Sequence, residues 1–146
     1  RFIGRTDGYY ERQIWLDYVS KNINIEVRGG RTQENTNHEE YARLLRTTAI
    51  NLNFCNTPHG WPQCKGRVWE IMSSKTLLFE QKNNITEQFL IDGKHCIYFD
   101  NPPDLVDKLK YYLDNKEARM KITDEAYQLY LDSYHPNIMW KSIYEL

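Results

Sequence analysis

Through residues 1–99, short runs with strand character alternate with stretches of helical periodicity, and that alternation is the strongest constraint on the fold. Residues 1–4 (RFIG) read as the end of a strand. Residues 9–22 repeat apolar side chains at helical spacing, with Ile14, Trp15, Tyr18 and Val19 as the stripe. Residues 23–27 (INIEV) alternate as a strand, which Gly29-Gly30 breaks. Residues 37–47 suit a helix, with Asn37 as N-cap and Glu40 three positions on, as in a capping box. Residues 49–55 (AINLNFC) alternate again before the turn residues 56–60. A helix over 64–74 carries Val68, Ile71 and Met72. Residues 76–79 (TLLF) are the apolar run of a strand buried on both faces. A short helix over 86–91, an Asp92-Gly93 turn and a strand over 96–99 (CIYF) complete the alternating part.

The remainder reads as helix. Asn101-Pro102-Pro103-Asp104 opens a segment reaching about Asp114, with Leu105, Val106, Leu109, Tyr112 and Leu113 as its stripe. A second helix spans roughly 116–134, and Pro136 starts a third that runs to Leu146. Strands separated by helices imply parallel pairing and right-handed crossovers. The expected fold is α/β: a Rossmann-like open parallel sheet of about five strands, helices on both faces and a helical C-terminal tail. At 146 residues, one domain covering 1–146 is expected. The chain opens on Arg1 rather than methionine, so it is expected to be part of a longer protein.

An open parallel sheet binds ligands at the carboxyl ends of its strands, where strand order reverses. That rule selects three loops: residues 4–8 after the first strand, 56–65 after the third and 80–86 after the fourth. They carry glycines, cations and short polar side chains, whereas the strand interiors read as plain. Gly4-Arg5 allows close approach of a ligand to the backbone, with N–H groups of the following helix start turned towards an anion. The same residues equally suit a tight strand-to-helix turn. Lys65-Gly66-Arg67 brings two cations to a helix start, where they oppose the helix dipole unless an anion is bound; solvated surface charge is the other reading. Glu70 points towards the rim if Val68, Ile71 and Met72 pack on the sheet, and suits either a ribose diol or simple dipole compensation. His59, in the third loop, is a weak catalytic candidate, since a lone loop histidine is more often a surface residue.

Several classes are disfavoured. There is no GxGxxG and no GxxxxGK[ST], so dinucleotide and P-loop chemistry are not expected. A formal net charge of −1 supplies no global basic field for nucleic acid. No run approaches the ~20 apolar residues of a membrane span. Cys55, Cys64 and Cys96 are scattered and odd in number, which fits free thiols in a reducing cytoplasm better than a disulfide framework or zinc site. His38, His95 and His135 have no metal-ligand spacing, and no metal is expected. The eleven tyrosines include several at helical spacing near the C-terminus, which suits packing rather than base stacking. A receiver-type regulatory domain requires a phosphorylatable aspartate ending the third strand, and this strand ends Asn53-Phe54-Cys55.

The stretch 65–97 (KGRVWEIMSSKTLLFEQKNNITEQFLIDGKHCI) resembles the C-terminal, donor-binding domain of group-1 glycosyltransferases of the two-Rossmann-domain (GT-B) architecture. Within them it is nearest the spore-maturation (CgeB-like) transferases, with their R-[VF]-[FW]-E-I-x-[AS] pattern, apolar strand, short helix and D-G turn. Residues 2–19 (FIGRTDGYYERQIWLDYV) are similar to the opening of that domain, and residues 99–122 (FDNPPDLVDKLKYYLDNKEARMKI) to its tail. The resemblance implies a nucleotide-sugar donor, UDP- or GDP-linked, with no other cofactor and no metal. It implies that Glu70 holds the donor ribose hydroxyls and that Lys65 and Arg67 lie at the diphosphate. Gly4 and Arg12 would lie near the phosphates, and Glu87 in a short helix facing the donor; Arg5 joins the donor-binding candidates from its place beside Gly4. The acceptor and any general base would come from an N-terminal acceptor-binding domain, so this part alone is expected to be inactive. The implied reaction is displacement of the nucleotide from the anomeric carbon by an acceptor hydroxyl, with fixed cations stabilising the leaving diphosphate.

The chain departs from many relatives in one respect. They carry two glutamates with seven residues between them, and counting back from Glu70 the first position is Pro62. This leaves open a non-catalytic α/β nucleotide-binding or scaffold module.

Overall fold

The computed structural model describes residues 1–29 and 37–144. Five strands form one sheet: β1 (Phe2–Ile3), β2 (Val27–Arg28), β3 (Ile50–Asn53), β4 (Leu77–Gln81) and β5 (Ile97–Phe99). Their order is β2-β1-β3-β4-β5 and every pairing is parallel. The helices are α1 (Tyr10–Ser20), α2 (His38–Arg46), α3 (Arg67–Ser73), α4 (Pro102–Asp114), α5 (Lys116–Leu129) and α6 (Pro136–Tyr144). A π turn over Tyr130–Tyr134 joins the last two. The α/β class, the parallel five-stranded sheet and the helical tail agree with the sequence pattern.

The two faces of the sheet carry separate cores. Phe2, Leu52, Leu77, Phe79, Ile97 and Phe99 meet Trp15 and Leu16 of α1 and Leu105, Val106 and Leu109 of α4. Ile3, Leu78 and Tyr98 meet Leu44 and Leu45 of α2, Val68, Ile71 and Met72 of α3, and Ala126 of α5. Alternate residues of β4 serve opposite layers, as the pleat requires. An aromatic cluster closes the first core near its carboxyl end: Phe54 packs edge-on against Phe2, Trp15 and Phe99 at centroid distances of 5.5–5.9 Å.

The boundaries differ from the expected ones for identifiable reasons. In α1 the inward face is Arg12, Trp15, Leu16 and Val19, while Ile14 and Tyr18 are exposed. Trp15 and Val19 belong to both candidate stripes; Arg12, bonded to carbonyls at the sheet end, decides which one turns inward. The ladder of β2 has only two residues, and Ile23 and Ile25 pack against the first core instead of pairing. Gly29 ends β2 as expected; Gly30 lies outside the described residues, as does Leu146, the predicted end of α6. Asn37 caps α2 by accepting from the Glu40 N–H at 2.8 Å, but the Glu40 carboxylate pairs with Arg43 instead of reaching back. The helix of the third crossover starts at Arg67, with Gly66 as its N-cap, so Lys65 precedes it. The segment 86–91 forms a single 3-10 turn, Thr86–Gln88, whose entry is fixed by Asn83 Oδ1 accepting from the N–H groups of Ile85 and Thr86.

The largest correction concerns the strand interiors. They are not plain: Asn51, Asn53, Glu80 and Gln81 are all buried within β3 and β4. A run of five buried residues in β4 extends past the apolar segment because its neighbours satisfy the polar side chains. Glu80, expected in a loop, is a strand residue.

Candidate functional site

Strand order reverses between β1 and β3, and three cations converge at the carboxyl ends of these two strands. Arg12 reaches there from the first turn of α1. Lys65 and Arg67 reach there from the loop after β3 and the first residue of α3.

Arg12 is 5% exposed and acts as a strap. Its guanidinium donates to the carbonyl of Arg5, to that of Phe54 at 3.5 Å and to that of Asn56 at 3.3 Å. It also lies over the Tyr9 ring, 3.9 Å from the centroid. These bonds tie the loop after β1 to the loop after β3. Burial lowers its pKa to about 10; Tyr9 opposes the shift and Arg67 adds to it.

Lys65 is half-buried. Its Nζ donates to the Asn56 carbonyl at 3.2 Å and lies 5.5 Å from the Tyr9 centroid. Burial first, then repulsion from Arg12 and Arg67, brings its pKa down to about 8.

Arg67 lies above Gly4. A Cβ on Gly4 would meet the two terminal nitrogens of Arg67 and Cζ of Phe2, each at 3.0 Å, so the absence of a side chain admits the guanidinium. Nη1 donates a long bond, 3.5 Å, to Asn53 Oδ1, and among the described residues Nε has no hydrogen-bond partner. Gly29 supports the same spot from behind: its φ is +107°, and a Cβ there would stand 2.5 Å from the Gly4 carbonyl oxygen.

Glu70 is exposed one turn into α3, and its Oε1 points back over Gly66. The Tyr41 hydroxyl of α2 donates to its other oxygen, Oε2. Tyr41 also neighbours Arg67; burial and the Glu70 carboxylate raise the phenol's pKa, and Arg67 opposes them. Arg67, Glu70 and Tyr41 thus border one surface at the start of α3.

The other expected residues divide. Gly4 and Arg12 belong to the cluster. Arg5 contributes its carbonyl, while its side chain is exposed. His59 is exposed at the tip of a small hairpin in which Thr57 and Trp61 pair and Asn56 bridges Pro62. Pro62 is therefore a bridging residue of that hairpin. Glu87 is exposed in the 3-10 turn after β4, and the hydrogen bonds that build the cluster do not include it. Tyr9, Tyr41, Asn53 and Glu80 belong to the site and were not expected. Polar residues at positions 51, 53, 80 and 81 of otherwise apolar strands were the available signal for the last two. A cavity of about 110 Å³ adjoins Arg12, walled by Tyr9, Tyr10, Phe54, Pro58 and Gln81. Among the described residues no three His, Cys, Asp or Glu side chains group as a metal site, and no helix is long and apolar enough to cross a membrane.

A fixed set of cations, held partly out of water and repelling one another, is built to receive an anion at a strand-order reversal. Comparisons with known proteins bear on the family and the fold. The model of a family described as glycosyl transferase-like matches residues 6–144. Comparison with curated proteins found no match. Among solved structures, the chain is similar to the C-terminal domain of a glycosyl transferase group 1 family protein (LpcC) from Francisella tularensis. The TM-score is 0.58 at 14% identity, covering 86% of this chain and 62% of that one. It is similar also to Alr3699/HepE from Anabaena, solved in complex with UDP-glucose and with UDP; the TM-score is 0.67 at 8% identity, covering 99% of this chain and 40% of that one. At such identities the likeness is one of fold, and this chain spans less than two thirds of either structure.

Proposed function

This chain belongs to the glycosyl transferase-like family, and from that premise we propose that it is the nucleotide-sugar-binding half of a GT-B transferase, with the donor's diphosphate held at the junction of β1 and β3. The observation that carries this reading is the grouping of Arg12, Lys65 and Arg67 at the carboxyl ends of β1 and β3, with Arg67 over the Gly4 gap. Arg67 has donors to spare there, and Lys65 is held down to about 8 by burial and by its cationic neighbours. A diphosphate would relieve that repulsion and pair with the fork of Arg67. Glu70, oriented by Tyr41, would accept hydrogen bonds from the ribose hydroxyls. The HepE structures, with UDP-glucose and with UDP, support a uridine nucleotide as the first ligand to try, with GDP as its comparison.

The chemistry follows from this arrangement. An acceptor hydroxyl attacks the anomeric carbon, the bond to the diphosphate breaks, and the negative charge gathered on the leaving phosphate oxygens is stabilised by the fixed cations. No metal is needed in this scheme. The acceptor and its general base would come from a second domain outside this chain. Arg5, Glu87 and His59 stay as lesser candidates: Arg5 and Glu87 towards the donor, His59 towards the reacting sugar. The spore-maturation-type subgroup is the proposed kinship. Calorimetric titration of the domain with UDP and GDP tests the reading. Saturable binding of one nucleotide, weakened by both Arg67→Ala and Glu70→Ala, is expected. No binding at millimolar nucleotide by the folded domain refutes it for this chain.

A further inference from the structure

Glu80 is wholly buried in β4, between its register partners Asn53 of β3 and Tyr98 of β5. Its Oε2 accepts from Asn53 Nδ2 at 2.7 Å and its Oε1 from Asn83 Nδ2 at 3.2 Å. Asn53 turns its own carbonyl oxygen to Arg67 at 3.5 Å. Asn83 turns its carbonyl oxygen to the N–H groups of Ile85 and Thr86 at 3.1 and 2.9 Å. One carboxyl thus links the arginine above Gly4 to the turn that follows β4.

Removing a carboxylate from water is costly unless it is paired, and here the partners are two neutral amides. Burial pushes Glu80 up to about 8, against the amide bonds and the pull of Lys65 and Arg67. Those two cations face it from the α3 side. Cys55, Cys64, Cys96 and Tyr98 are the other titratable groups in its surroundings. The helical layer over this face supplies apolar Val68, Ile71, Met72 and Ala126.

We propose that Glu80 is a positioning residue of the anion site: through Asn53 it holds the guanidinium of Arg67, and in alkaline solution, where the free domain has it ionised, it takes up a proton from solvent as a nucleoside diphosphate binds. The inference rests on the donor-site reading. The ionised carboxyl depends on the field of Lys65 and Arg67. A diphosphate arriving at the same cations cancels that field and adds like charge nearby, so the proton-bound form becomes favoured. A neutral Glu80 then no longer competes with the phosphates for Arg67.

The test is a pH titration from 6 to 10 of the Glu80 side-chain carboxyl in protein labelled with 13C-glutamate, assigned through bonds, free and saturated with UDP. The free midpoint is expected near 8 and should rise by about one unit or more with UDP. By linkage, UDP affinity of the wild type should then fall up to about tenfold more between pH 7 and 9.5 than that of Glu80→Gln. Lys65 titrates in the same window and is coupled to Glu80, so the carboxyl midpoint, read directly at Glu80, decides the proposal and the affinity difference accompanies it. A midpoint unmoved by UDP, while resonances of Arg67 and Glu70 do shift, overturns this proposal alone. If UDP shifts no resonance, the donor-site reading falls and this inference falls with it. The midpoint is read in the wild-type protein, so the answer survives a Glu80→Gln variant that fails to fold.

Discussion

Adding one methyl group at Gly4 should weaken nucleotide binding roughly tenfold or more, at a modest cost in stability. An alanine Cβ there meets Arg67 Nη1, Arg67 Nη2 and Phe2 Cζ, each at 3.0 Å, well inside ordinary contact distance. One of these neighbours must yield. The Phe2 ring is fully buried and packed edge-on against Phe54 at 5.5 Å, so it cannot move without disturbing the aromatic cluster. The Arg67 guanidinium is the end of a flexible side chain, held by a long bond to Asn53 and by its neighbour Tyr41, so most of the displacement falls on it. Losing a charged hydrogen bond to phosphate costs about 1.5–3 kcal/mol, which weakens UDP binding roughly 10- to 150-fold. The backbone at Gly4 has a φ of +159°, where an alanine is strained, and the contact with Phe2 adds overpacking, so a destabilisation of about 1–3 kcal/mol is expected.

Gly8→Ala is the control. Nothing lies within 4 Å of its Cβ, but φ is +77°. It should cost ~1 kcal/mol, lowering Tm by about 3 °C, and leave UDP affinity unchanged. Calorimetric titration and thermal melts of both variants supply the four numbers needed. A Gly4→Ala protein that melts normally and binds UDP within about threefold of wild type would refute the assignment of Arg67 to the diphosphate.

Three further outcomes follow from the same geometry. Lys65 titrates near 8 in the free domain, and a bound diphosphate raises that value, so UDP affinity should be greatest below pH 8 and fall as pH rises through it. Titrations at pH 7 and 9.5 check this, and an affinity rising with pH would contradict it. Glu70→Ala should weaken UDP by ~1.5–3 kcal/mol and should abolish the discrimination between UDP and its 2′,3′-dideoxy analogue; Tyr41→Phe, which only frees the carboxylate, should cost less than ~1.5 kcal/mol. An undiminished preference for UDP in Glu70→Ala would exclude a ribose contact. Gly29→Ala should be the most damaging glycine substitution, because its Cβ would stand 2.5 Å from a backbone oxygen at positive φ; a loss above ~3 kcal/mol in chemical denaturation is expected.

The sequence made most of the fold legible because periodicity reports burial, and burial in a parallel sheet alternates with helical cover. The strands, the helices and the resulting five-stranded sheet could be read from the spacing of apolar residues. Lys65 and Arg67 could be singled out because loops at the carboxyl ends of strands carry the chemistry of such folds, and Glu70 only through the family resemblance. The rotation of α1 could not be read, since Trp15 and Val19 satisfy two stripes equally and three backbone carbonyls decide between them. Nor could the burial of Glu80, a residue whose type belongs at the surface and whose acceptance inside depends on two asparagines 27 and 3 positions away. Local sequence thus determined which elements form and which loops carry charge, because those follow from short-range patterning. Only the tertiary structure decided that three cations gather at the carboxyl ends of β1 and β3, one of them over Gly4, with a buried carboxyl near two of them, because that arrangement depends on which strands become neighbours.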